Sequence, residues 1–189
     1  MKSLTDLQTP TLEWRRVGAG ALAFELGTKD QVVATLTILD EGKALARIET
    51  AEGTWTARHA GLLASVLTLR EEGSSTNLAT FHPHPLRHGR LEFADGATFD
   101  WVSLPGRAAG AGSGGAFLDR EGMPLVRLHA HPAKDLKAPT GPDHGEVELG
   151  LAPMARWRHA LLAALGWYIL VFDQMRERQA VAAEICLRL

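Results

Sequence analysis

Histidine is where this sequence comes nearest to chemistry. His82-Pro-His84 and His129-Ala-His131 each set two imidazoles two residues apart, and His88 follows closely behind the first pair. On a strand, residues two apart share a face. Two such pairs brought together could assemble a site for zinc or iron. Pro83, Pro85 and Pro132 interrupt the text at those points, however, and proline fits poorly inside interior strands. The expectation is solvated histidines at strand ends, with no resident metal and no other cofactor. A metal centre built from His82, His84, His129 and His131 is the alternative.

The same stretch, His82-Pro-His-Pro-Leu-Arg-His-Gly-Arg90, reads equally as an anion-binding loop. Arg87 and Arg90 would supply fixed charge, and the histidines would add to it at lower pH. Arg156, Arg158 and His159 form a second basic cluster, at the start of a very apolar helical segment. Positive charge there opposes the helix dipole. That misplacement points to a ligand or partner contact, against the plainer reading of a solvated rim.

Signals for catalysis are nearly absent. Cys186 sits in an apolar tail with no base beside it, which marks an inert thiol. The chain contains no G-x-S-x-G elbow, no H-E-x-x-H and no P-loop. Gly110-Ala-Gly-Ser-Gly-Gly115 matches the letters of a dinucleotide-binding turn. Strand-like Ala116-Phe-Leu118 follows it, where that motif requires a helix to hold the pyrophosphate. A non-enzymatic binding or structural protein is the expectation.

The elements that must position these residues follow from period and punctuation. From Leu12 to Leu151 the chain repeats one rhythm, short runs of alternating apolar and polar residues broken by Gly, Asp or Pro. Twelve strands are predicted, among them Val32–Leu39, Leu45–Thr50, Thr98–Ser103 and Leu125–His129. A core helix is predicted over 154–173. Its centre, Ala160-Leu-Leu-Ala-Ala-Leu-Gly-Trp-Tyr-Ile-Leu-Val-Phe172, carries one polar side-chain group, the Tyr168 hydroxyl. A helix apolar on all sides must be enclosed on all sides. The run is shorter than the roughly 20 residues that span a bilayer, and Asp173 closes it.

A mainly β fold is therefore expected: a closed antiparallel barrel of about twelve strands around a buried C-terminal hydrophobic helix. It forms a single domain over 1–189. The tail, 174–189, has no assigned conformation; its Ala180-Val-Ala-Ala and Ile185-Cys-Leu patches could cap the barrel or join two copies as a homodimer. A formal charge of −2 gives no overall attraction to nucleic acid. A single cysteine leaves no intramolecular disulfide, and the opening residues lack the apolar core of a secretory signal. A cytoplasmic location is expected.

The layout resembles the tubby C-terminal-like superfamily, which includes the phospholipid scramblases and the plant LURP-one-related proteins. The resemblance rests on the strand meander followed by Arg156-Trp-Arg-His-Ala-Leu-Leu-Ala-Ala-Leu-Gly-Trp-Tyr-Ile-Leu-Val-Phe172. It rests also on the hairpin texts Ile38-Leu-Asp-Glu-Gly-Lys-Ala-Leu-Ala-Arg-Ile48 and Phe117-Leu-Asp-Arg-Glu-Gly-Met-Pro-Leu-Val-Arg-Leu128. It covers roughly residues 12–172 and is one of pattern, without a sharp motif. It implies a twelve-stranded barrel around a central helix, and an anionic lipid headgroup or another anionic partner at the barrel rim. The protein would then sit peripherally on a membrane. Departures from the family are the absence of an acidic calcium loop, of a Pro-rich leader and of a cysteine cluster.

Overall fold

The computed structural model describes residues 1, 11–18, 22–42, 44–60, 66–84, 88–104, 113–131, 142–150 and 156–187. The first six strands are β1 (Thr11–Val17), β2 (Ala23–Gly27), β3 (Val32–Asp40), β4 (Leu45–Thr50), β5 (Gly53–Ala60) and β6 (Val66–Glu71). Then come β7 (Ala79–His84), β8 (His88–Phe93), β9 (Thr98–Leu104), β10 (Gly114–Leu118), β11 (Pro124–His131) and β12 (His144–Leu149). One helix, α1 (Arg156–Leu187), follows. Each strand pairs antiparallel with its neighbours in sequence, and β1 pairs with β12, so the sheet closes into a barrel without free edges.

Alternation drives the closure. On β8 the odd positions, Gly89, Leu91 and Phe93, are buried while His88, Arg90 and Glu92 are exposed. The same period of two puts Ala46 and Ile48 of β4 inward and Arg47 and Glu49 outward. The meander also sorts its connections. β1–β2, β3–β4, β5–β6, β7–β8, β9–β10 and β11–β12 join at one end, called upper here. The remaining turns lie at the lower end.

α1 enters from the lower end and fills the interior. Every residue from Ala160 to Val171 is buried, because each side of the helix meets a different strand. Trp167 stacks on Trp14 of β1 (5.7 Å, 9° between planes) and meets Phe24 of β2 edge-on at 5.8 Å. Across the barrel, Gly166 faces Trp101, Phe117 and Leu128 of β9, β10 and β11. Gly145, the register partner of Trp14, makes room for the indole pair; a Cβ there would lie 2.5 Å from the Trp167 ring. The Tyr168 hydroxyl of the apolar run is satisfied, whereas the buried Trp167 Nε1–H has no hydrogen-bond partner among the described residues. Tyr168 donates its hydroxyl to the Ala44 carbonyl at 2.6 Å, and burial raises the phenol pKa.

Two details differ from expectation. The helix does not end near residue 173 but continues to Leu187, so the tail is helical through that point. What stops at Phe172 is the unbroken apolar run, although Met175 is still buried in the core. Gln174 to Leu187 contains neither Gly nor Pro and is rich in Ala, Glu, Arg and Gln, which sustain a helix. Proline also breaks β7 less than expected, for the strand runs through Pro83. Among the described residues Pro83 pairs with Gly89 of β8. Among the described residues, no helix is long and apolar enough to cross a membrane.

Candidate functional site

With the interior occupied by the chain's own helix, binding chemistry must sit at the two ends or on the outer face. At the lower end, Arg158 is held on three sides. It forms an ion pair with Asp95 in the β8–β9 turn, and its guanidinium carbon lies 5.0 Å from the Phe93 ring centre and 5.1 Å from that of Trp157. Asp95 also accepts the Ala97 N–H at 3.1 Å. That hydrogen bond and then Arg158 hold its carboxyl below the ordinary carboxylate range. Beside it lies an open groove of about 580 Å³ whose walls include Phe99, Asp119, Arg120, Leu125 and Arg158. Arg120 is committed too, donating to Thr98 Oγ1 and to the Gly96 carbonyl, both at 3.2 Å. His159 is buried, 6% exposed.

These facts change the meaning of the lower basic cluster. Arg158 fastens the first turn of the helix to a hairpin, which accounts for a positive charge at the unfavourable end of the dipole. Arg156 begins the helix, and its side chain lies outside the described residues. Around them the lower turns are acidic, with Asp30, Glu52, Glu72, Asp95, Asp119 and Glu121 set against Lys29 and Arg120. An anion would meet repulsion there.

Histidine marks the upper end. His59, His82, His84, His88, His129, His131 and His144 all lie in the last or first three residues of strands that connect at that end. Seven of the eight histidines of the chain are thus gathered around the place where the helix leaves the barrel. Gln174 Nε2 donates to Ser113 Oγ there at 2.8 Å. His59 is the inward member of the set, stacked on Phe172 at 4.4 Å with Tyr168 at 5.9 Å. Burial, and then the nearby Arg176 charge, push its pKa down to about 4. It helps to line a cavity of about 60 Å³ with Phe81, Trp101, Phe172, Asp173 and Arg176.

The two H-x-H pairs do not converge. β7 and β11 are separated by β8, β9 and β10, about 19 Å along the sheet at roughly 4.8 Å per strand. Among the described residues, no group of three or more His, Cys, Asp or Glu is placed to hold a metal ion. Arg90 bonds across to Asp100, Nε to Oδ1 at 3.0 Å, which keeps its proton held more tightly than usual. Its cross-strand neighbour on the other side is His82. Arg87 lies outside the described residues, as do 105–112 of the glycine-rich stretch and 132–141 of the proline-rich one.

Pairing supplied what spacing along the chain had concealed. His131 meets His144 of β12, ring on ring at 4.7 Å, and His84 is the register partner of His88. His144 carried no signal of its own, because its partner stands thirteen residues earlier, across a connection whose path composition does not reveal. No protein-family model matches the chain, and neither the curated proteins nor the solved structures contain a match to it.

Proposed function

We propose that this chain is a non-enzymatic binding protein that engages an anionic surface, in the first instance anionic lipid headgroups, through the upper end of its barrel. The observation that carries the reading is the gathering of histidines at one end of the barrel. Acidic side chains occur at both ends, with Asp40, Glu41, Asp143 and Asp173 at the upper one, but six outward histidines, His82, His84, His88, His129, His131 and His144, gather at the upper end, beside Arg15, Arg16, Arg58 and Arg176. Histidine is the side chain type that gains positive charge as pH falls from 8 to 5. A surface of this kind draws anions more strongly in mildly acidic conditions and less strongly in salt. The resemblance to the tubby C-terminal-like proteins supports the same class of ligand and a peripheral position on a membrane facing the cytoplasm.

Vesicle flotation tests the reading. Protein is mixed, in the presence of EDTA, with neutral phosphatidylcholine vesicles or with vesicles containing phosphatidylserine, at about pH 7.5 and pH 5.5. The expected result is flotation that needs the anionic lipid, increases at the lower pH and weakens with added salt. Equal behaviour on the two kinds of vesicle would count against it.

A further inference from the structure

Two imidazoles from neighbouring strands meet on the outside of the barrel. His131 closes β11, His144 opens β12, and the two are register partners. Their rings lie 20° from parallel with centres 4.7 Å apart. Ala130 and Gly145 beside them point inward and are buried, so the histidine pair faces solvent; the His131 side chain is 42% exposed. The backbone beneath is held from both sides, by β10 against β11 and by β1 against β12. Charged and titratable neighbours include His129 and Glu13, the register partners of Glu146, Glu25, the register partner of Arg15, and Asp143 just before His144. Glu146 Oε1 lies 3.8 Å from His131 Nε2, and Arg15, the register partner of His144 on β1, is bonded to Glu13 at 3.2 Å.

We propose that His131 and His144 form a two-nitrogen chelate for a divalent transition-metal ion of the zinc, nickel or copper class. Ligands at about 2.0–2.1 Å from one metal lie roughly 3 Å from each other, a separation that stacked neighbouring rings reach without moving the backbone. Only the side-chain torsions must change. The bond that turns an imidazole has a broad energy profile, and exposure leaves both rings free to turn. Imidazole nitrogen selects transition metals over calcium or magnesium, which prefer oxygen. Water completes the coordination, and the Glu146 carboxylate places negative charge beside the ion. Both ligands must be neutral, so binding is lost as pH falls. This dependence runs opposite to that of the anionic surface, and the EDTA in the flotation assay separates the two proposals.

The test uses the full chain without an affinity tag, stripped of metal and titrated with Ni²⁺ at about pH 7.5. Calorimetry gives the stoichiometry, and broadening of histidine ring-proton resonances locates the ion. One strong equivalent is expected, broadening His131 and His144 first and absent at about pH 5. His131→Gln and His144→Gln should each weaken binding by about tenfold or more, and the double variant should be little worse than either single one, because a chelate needs both arms. His82→Gln should change nothing. All three positions lie on the outer face, and an unchanged urea midpoint verifies that each variant is folded. Absence of binding to the parent chain would overturn the proposal. So would full affinity in either single variant, or loss of the site through His84→Gln instead.

Discussion

Removing the Tyr168 hydroxyl tests whether the helix is locked into the barrel as described. The hydroxyl lies in a largely apolar run, and it donates at 2.6 Å to the carbonyl of Ala44, itself 5% exposed. Tyr168→Phe keeps the ring and deletes the donor. An orphaned buried carbonyl costs about 1–3 kcal/mol. Ala44 O also accepts the His59 N–H at 3.3 Å, so it retains one partner, and the lower part of that range applies. We expect a loss of about 1–2 kcal/mol. For a chain of this size that lowers Tm by roughly 2–8 °C. Urea unfolding followed by tryptophan fluorescence should show the midpoint falling by about 0.5 M with the slope m unchanged. An unchanged or higher midpoint would refute the reasoning, since it would mean that the hydroxyl has no buried partner to lose.

Three further outcomes are expected. His59 is held neutral in the folded chain, with its pKa lowered from 6.5 to about 4, so the unfolded chain binds the extra proton between those values. Stability is then full above pH 6.5 and declines toward pH 4, by about 2–3 kcal/mol at roughly 1.4 kcal/mol per pKa unit. His59→Phe should flatten that decline in urea titrations at several pH values. Gly145→Ala would place a Cβ 2.5 Å from both the His129 carbonyl oxygen and the Trp167 ring, so it should destabilise by about 1–3 kcal/mol and alter the tryptophan emission. Asp95, whose carboxyl pKa is lowered on folding, contributes stability at neutral pH that fades as pH falls through its folded value. The stability difference between the parent and Asp95→Asn should therefore be present at neutral pH and shrink in acid; a difference independent of pH would contradict this account.

Much of the architecture was legible along the chain. Period-two text broken by turn residues located the strands, and the apolar run 160–172 required enclosure, because no single face of it could be left to water. Local composition was less reliable at the edges of elements. Pro83 reads as a strand breaker, yet β7 runs through it, paired to Gly89 of β8, a fact about neighbours that its own residue type does not carry. The continuation of α1 to Leu187 follows from helix propensity in the tail, but the end of the apolar run masked it.

The site divides in the same way. Sequence alone determined that histidine would be the chemically notable residue and that the interior would be apolar. Tertiary structure decided which residues act together. It tied Arg158 to Asp95 across 63 positions and Tyr168 to Ala44 across 124. It set His131 against His144 and kept three strands between it and β7. The physical reason is that alternation tells only which way a side chain points. Which side chains lie beside one another is settled by strand register and barrel closure, and these depend on the whole chain at once.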